Sequence, residues 1–200
     1  MILKTLYIVR HGQTDLNRQG IVQGRGRDTD LNSEGRKQAE QFYSAYKDVP
    51  FDKIYISELK RTQQSIQPFI DKGIPYEKLS GLDELAWGIY EGQPSTPETK
   101  KVFMKLLRSW MDGKLDTKFE GGESPNDVRL RQIEALHLIM SHTEETNVLI
   151  CMHGRAMRLF LCLLMGKIIQ VYPCYSIVTQ VFHNGCFRHI RHLVILIPEF

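Results

Sequence analysis

Apolar residues follow two alternating rhythms along the chain. Short β-branched runs at 2–9, 53–56 and 147–152 are bounded by polar turns, the pattern of strands buried on both faces. Between them, apolar positions recur at helical spacing. Ala39, Phe42, Tyr43 and Tyr46 form a stripe over about 34–47, which Asn32 or Ser33 can cap and Pro50 ends. A second helix follows the turn at 57–62 and runs to about 71. Val102, Phe103, Leu106, Leu107 and Trp110 make a third within 94–113. Ser124, Pro125 and Asp127 mark the start of a fourth, as N-cap, first residue and early negative charge, running to about 142. Residues 155–165 form a fifth, stopped by Gly166. Residues 76–79 read as a short strand and 82–92 as an irregular loop. Residues 178–182 and 187–194 read as two strands around the turn Asn184-Gly185. Strand followed by helix therefore repeats along the chain. The helical stretch at 94–113 has no strand of its own and reads as a cap.

Composition changes the picture little. Two hundred residues suit one folded unit with a proper core, expected as a single domain over 1–200 with a helical cap around 94–120. With 42% hydrophobic and 24% charged residues, the chain is not of the disordered class. A net charge of +3, from 26 basic and 23 acidic side chains, is too mild to argue for a nucleic-acid partner, though it suits a local anion site. No apolar run approaches the ~18 residues of a membrane span. Residues 1–9 lack the length and cleavage pattern of a secretory signal. Cys151, Cys162, Cys174 and Cys186 form no C-x-x-C pair and read as free thiols, so the expected location is the cytoplasm. Nothing here speaks to oligomeric state.

The chemistry gathers at strand ends. The first strand runs into Arg10-His11-Gly12, and in open α/β sheets ligands sit beyond the carboxyl ends of the strands. Histidine supplies a nucleophile or base, arginine a planar fork for phosphate, and glycine a sharp turn. The strand at 53–56 ends near Arg61, and the one at 147–152 ends in His153-Gly154. Each residue also has an ordinary structural reading. Arg61 suits a helix surface, Glu84 a solvated loop, His153 a turn, and Asn17 a loop. Ser124 is assigned to capping. His183, His189 and His192 cluster without metal-ligand order, so no metal and no cofactor is expected.

Taken in series, these residues resemble the histidine phosphatase superfamily, the phosphoglycerate mutase-like group. The resemblance is carried by Arg10-His11-Gly12-Gln13-Thr14 with Asn17, then Gln23-Gly24, the helix entry Leu31…Gly35…Gln38-Ala39, and Ser57-x-Leu59-x-Arg61. It continues through Glu84…Gly88…Glu91-Gly92, Gly121-Gly122-Glu123-Ser124 and His153-Gly154…Arg158, in order over about 6–166. The loop at 23–31 is one residue longer than the common form. Asp30 stands where proline is frequent, and Thr62 where alanine is usual. With the strand pattern, the resemblance implies a three-layer α/β/α sandwich around a mostly parallel sheet. The tail hairpin suggests one antiparallel strand.

The resemblance also implies a phosphohistidine at His11. Arg10 and Arg61 would offer paired N–H donors to phosphoryl oxygens, with His153, Asn17 and Gln23 adding more. Gly24 and Gly154 complete the expected substrate-binding set. Both arginines disfavour imidazolium at His11, and a backbone carbonyl near Gly12 is expected to fix its tautomer. Glu84 would protonate the leaving oxygen and later accept a proton from water. The expected partner is a small phosphate ester, and the expected activity is that of a metal-independent phosphomonoesterase. Two alternatives stand beside it: a 2,3-bisphosphoglycerate-dependent phosphoglycerate mutase and a non-catalytic phospholigand-binding module. The short stretch from Glu84 to His153 favours the phosphatase. Arg25, Arg27, Lys105 and Arg108 are candidates for a second anionic group of the substrate, or else solvated surface.

Overall fold

The computed structural model describes residues 4–166 and 190–196. Five strands form one sheet: β1 (Lys4–Arg10), β2 (Lys53–Ile56), β3 (Tyr76–Lys78), β4 (Asn147–Met152) and β5 (Ile190–Leu196), in the order β3-β2-β4-β1-β5. Every pairing is parallel, including β1 with β5. In the tail, the expected antiparallel strand is not among the described ones. There β5 joins the sheet in parallel, and the rest of the suggested hairpin, 178–182 and its turn, lies outside the described residues.

Alternation along the strands sets the two apolar faces, as expected for a parallel sheet covered on both sides. Leu6, Ile8, Tyr55, Val148, Ile150 and Met152 face one layer, where they pack with Leu136, Ile139, Met157 and Phe160. Those partners come from α5 (Pro125–Ser141) and α6 (Gly154–Leu164). Val9, Ile54, Ile56, Leu149 and Cys151 face the other layer with Phe69 and the aromatic stripe Phe42, Tyr43 and Tyr46. That layer is α2 (Ser33–Tyr46) and α3 (Lys60–Asp71). The helices therefore divide evenly over the sheet.

The helical starts follow local chemistry. Asn32 caps α2 by accepting from Gly35 N. Ser124 caps α5 in a reciprocal box, accepting from Asp127 N while Asp127 accepts from Ser124 N, and Pro125 occupies the first turn. The excursion expected at 94–113 is α4 (Pro97–Met111). It packs its own small core, in which Leu106 and Trp110 meet Leu85, Trp87, Val128 and Leu159. Sequence periodicity did not reveal α1 (Asp15–Arg18), one turn inside the first long loop, capped by Thr14. Single 3-10 turns at Ser80–Leu82 and Gly88–Tyr90 shape the loop before α4.

Candidate active site

The carboxyl ends of β1, β2 and β4 meet at a cavity of about 250 Å³. Its lining includes Arg10, His11, Asn17, Gln23, Arg61 and Glu84 of the residues expected from the sequence, and Gly154 as well. Two further arginines, Arg155 and Arg158 in the first turns of α6, and Trp87 complete it. Arg158 belongs to the motif series, but Arg155 was read only as part of an apolar helix. Its signal was present: two arginines three residues apart, opening an otherwise apolar helix directly after a strand-end histidine.

His11 is buried at 3% exposure. Its Nδ1 lies 2.6 Å from the carbonyl of Gly12, which can only accept, so Nδ1 carries the proton. Burial holds its pKa well below the usual histidine value, and the Arg61 and Arg10 charges push the same way. The ring is therefore neutral near pH 7, with its lone pair on Nε2. Gly12 is a glycine for space, because a Cβ there would sit 2.5 Å from the carbonyl oxygen of Gly35.

His153 is fully buried behind the cavity instead of lining it, its ring 5.0 Å from that of His11. Arg61 Nε donates to its Nδ1 at 3.2 Å, and its Nε2 is 2.7 Å from Ser57 Oγ. With Nδ1 accepting, Nε2 donates to Ser57. Ser57 Oγ in turn meets Thr62 Oγ1 at 3.1 Å, and Thr62 donates to the carbonyl of Leu59 at 2.8 Å. The hydroxyl at position 62, where the family pattern has alanine, thus ends a hydrogen-bond chain that fixes the histidine tautomer. Both ring nitrogens are occupied, so in this state His153 supports Arg61 and offers no donor to the cavity. Burial and the Arg61 charge hold it neutral as well.

Arg61 is 1% exposed, and burial lowers its pKa to about 10. Its guanidinium gathers the first loop, donating to the carbonyls of Arg27 at 2.6 Å and Gly24 at 3.4 Å. Gln23 satisfies its neighbours only with its amide oxygen toward Arg61 Nη1, at 3.1 Å, and its NH2 toward Thr14 and Thr29. Asn17 Oδ1 accepts from Thr14, which leaves its Nδ2 without a partner among the described residues. Gly24 does not line the cavity. It is packed so that a Cβ would lie 2.1 Å from Glu91 Oε1. Gly154 lies flat against Arg10, where a Cβ would come 3.3 Å from Nε.

Glu84 sits on the amino end of α6. Its Oε1 accepts from Ala156 N and Leu85 N, both at 2.9 Å, and its Oε2 from Arg155 N at 3.1 Å. The loop that carries it is pinned by Arg131, which sequence reading did not single out. Arg131 forks onto Glu123 at 2.9 and 3.0 Å and donates to the carbonyls of Gly81, Asp83 and Glu84. Glu123 of the Gly-Gly-Glu-Ser turn also accepts from Ala86 N. Arg25 and Arg27 play a similar anchoring part. Arg25 pairs with Asp83 at 2.9 Å, Arg27 donates to the carbonyl of Glu91, and neither lines the cavity. Lys105 and Arg108 are exposed on α4 and stay outside it too.

A parallel sheet between two helical layers, with a neutral histidine and four arginines at its carboxyl edge, defines the phosphoglycerate mutase-like class of α/β proteins. Within that class the chain belongs to the histidine phosphatase superfamily (branch 1), whose pattern it matches over residues 6–191. The fold is shared with Bacillus stearothermophilus YhfR, at TM-score 0.75 and 23% identity, over 94% of this chain and 97% of that one. It is also shared with the alpha-ribazole phosphatase of Shigella flexneri, at TM-score 0.70 and 23% identity over 82% and 81%. In sequence the chain is 38% identical over 96 residues to the fructose-2,6-bisphosphatase TIGAR of Bos taurus, covering 44% of this chain and 35% of that protein. It is 36% identical over 101 residues to the broad-specificity phosphatase YOR283W of Saccharomyces cerevisiae, covering 48% and 44%. The chain thus spans less than half the length of these two curated relatives. None of the described helices is long and apolar enough to cross a membrane.

Proposed function

We propose that this protein is a phosphomonoesterase acting on small phosphorylated metabolites through a phosphohistidine at His11, without a metal ion. The observation that carries the reading is the state of His11. It is neutral, its tautomer is set by Gly12, and its Nε2 lone pair is left in a cavity lined by four arginines and one carboxylate. The names of the relatives support it, since one is a fructose-2,6-bisphosphatase and another a broad-specificity phosphatase.

The reaction runs in two displacements. Arg10 and Arg61 offset the charge of the phosphoryl dianion, which otherwise repels a nucleophile. The Nε2 lone pair attacks phosphorus as the P–O ester bond breaks. The bond's electron pair stays on the leaving oxygen, which takes a proton from Glu84. Water then attacks phosphorus and gives its proton to Glu84. The P–N bond breaks with its pair returning to Nε2, and inorganic phosphate leaves. Arginines here take the charge-neutralising part that a divalent cation plays in other phosphoryl-transfer sites.

The test measures phosphate release from p-nitrophenyl phosphate in excess EDTA, for the wild type and His11→Ala. The wild type is expected to keep its full rate, and the variant to lose at least about a thousand-fold. A wild-type rate lost in EDTA and restored by a divalent ion, or an active His11→Ala, overturns the reading.

A further inference from the structure

Glu84 can serve as an acid only while its carboxyl group is held at one place in the cavity. Its Oε1 accepts from Ala156 N and Leu85 N, and its Oε2 from Arg155 N. Two of those amides belong to α6, whereas the backbone of Glu84 belongs to the loop before α4. The bonds therefore form only while loop and helix keep one spacing. The two partners on α6 are 71 and 72 residues away in sequence, so local chain geometry does not set that spacing.

A third element does. Helix α5 presents two consecutive residues, Arg131 and Gln132, about 100° apart around its axis. Arg131 takes the loop. It donates to the carbonyls of Gly81 at 2.9 Å, Asp83 at 3.0 Å and Glu84 itself at 3.2 Å. It also forks onto Glu123, which accepts from Ala86 N at 2.9 Å on the far side of Glu84. The loop lies flat on α5 here, since a Cβ on Gly81 would stand 2.4 Å from the carbonyl oxygen of Arg131. Gln132 takes the helix. It is fully buried, and its Nε2 donates to the carbonyl of Ala156 at 2.8 Å. Ala156 is the residue whose own amide meets Glu84 Oε1. Helix α5 thus grips the backbone on both sides of the carboxylate.

The two side chains suit this work. A guanidinium offers several donors in a fixed fork, enough for three carbonyls and a carboxylate at once, where an ammonium is a single point. A buried amide costs more than an apolar side chain of its size unless its bonds matter. Gln132 Oε1 has no partner among the described residues, which leaves the bond to Ala156 as the described gain from burying it.

We infer that Arg131 and Gln132 are positioning residues for the acid: they set the distance between the loop that carries Glu84 and the helix end that receives its carboxylate. Neither lines the cavity, so both act through Glu84. The inference rests on the acid role proposed above and deepens it. His11 follows β1 and Arg61 stands on α3, and neither element is bonded by Arg131 or Gln132 among the described residues. Loss of either grip should misplace the proton and leave the nucleophile and the phosphate cradle where they are.

The test compares kcat/KM on two kinds of ester. One is p-nitrophenyl phosphate, whose leaving group needs no acid. The other is glycerol 3-phosphate or 3-phosphoglycerate, whichever the wild type turns over faster. Arg131→Met, Arg131→Lys and Gln132→Met are measured, each alone and combined with Glu84→Gln. Arg131→Met and Gln132→Met are expected to slow the alkyl ester by about ten-fold or more, chiefly in kcat, as a small misplacement of a reacting group does. They should slow p-nitrophenyl phosphate by less than about two-fold. Arg131→Lys, with fewer donors, should fall between Arg131→Met and the wild type. In the Glu84→Gln background the same substitutions should cost almost nothing more, because the residue they act through has lost its proton. Equal losses on both esters, no loss on either, or losses that add in full to Glu84→Gln would leave the pair a structural part only and overturn the inference, while phosphate release upholds the phosphatase. Should circular dichroism show Arg131→Met unfolded, Gln132→Met and Arg131→Lys decide by the same readings. A wild type active on p-nitrophenyl phosphate and on neither alkyl ester has no working acid, which overturns the acid role and the positioning with it. No release from any ester overturns the phosphatase reading as well.

Discussion

Glu84 accepts from three backbone amides, and no other side chain bonds its carboxylate among the described residues. Its proposed work depends on the leaving group. An alkoxide is expelled with difficulty unless protonated, whereas p-nitrophenolate leaves unaided. Glu84→Gln keeps the shape and can still bond the amides through its oxygen. It should slow an alkyl phosphate by about a hundred-fold or more, and p-nitrophenyl phosphate far less. Steady-state rates on the two esters decide the matter, and equal losses would remove Glu84 from the acid role. At this scale the sequence was legible where a residue type has few structural uses at its position. Arg10 and His11 stood out at the strand end, Glu84 only through the series of motifs, and all three line the cavity. His153 was legible as a site residue but not in its part, because its burial and its bonds to Ser57 and Arg61 depend on contacts nearly a hundred residues apart. Arg131 was illegible for the same reason: on its own helix it is simply one more charge.

Between elements, one tight fit is where the exit of β1 meets the start of α2. A Cβ on Gly35 would lie 2.1 Å from the carbonyl oxygen of Gln13, and one on Gly12 would lie 2.5 Å from that of Gly35. The obstacle in each case is backbone, which cannot swing aside as a side chain does. Gly35→Ala should therefore destabilise the protein by about 1–3 kcal/mol and displace the turn that carries His11. Gly113→Ala makes the contrast. Gly113 has φ +83 but open space around it, so strain of about 1 kcal/mol should lower stability without touching turnover. Urea unfolding and kcat/KM of both variants test this, and an active Gly35→Ala would mean that the turn has slack. Helices and strands themselves were legible from periodicity: α3 ends at Asp71 and β4 spans Asn147–Met152, as expected. The short turn α1 was not, since four residues are too few for a period to show.

For the whole molecule, the question raised by the proposed reaction is where the phosphoryl group goes after His11. A mutase must shelter its phosphoenzyme from water until the phosphoryl returns to substrate. Among the described residues the available cover is α4, and none of its residues lines the cavity. Its apolar face is committed to Leu85, Trp87, Val128 and Leu159 instead. Water should therefore win. Given 3-phosphoglycerate and 2,3-bisphosphoglycerate, the enzyme should release inorganic phosphate faster than it forms 2-phosphoglycerate, as followed by phosphorus NMR. Rapid interchange of the two monophosphates with little free phosphate would promote the mutase. The sandwich was legible at this scale, but the partner of the last strand was not. A hairpin signal in sequence describes a local turn, while β5 takes its place by pairing with β1, the first strand of the chain.

The strand order carries a consequence for the life of the chain before it is an enzyme. β1 and β2 do not touch, because β4 lies between them, and β4 is synthesised roughly ninety residues after β2. At about 10 residues per second the nascent chain waits some ten seconds with that slot unfilled. During this interval Leu6, Ile8, Ile54 and Ile56 stand on two strands whose facing edges have no mate. Ribosome-bound chains stalled at residue 140 should be cleaved by protease far faster than chains stalled well past β4. Equal resistance would mean that the first half shelters itself. Arg10, His11 and Arg61 are all made early, yet the strand laid between them is what brings them together, so the proposed active site should form late in synthesis.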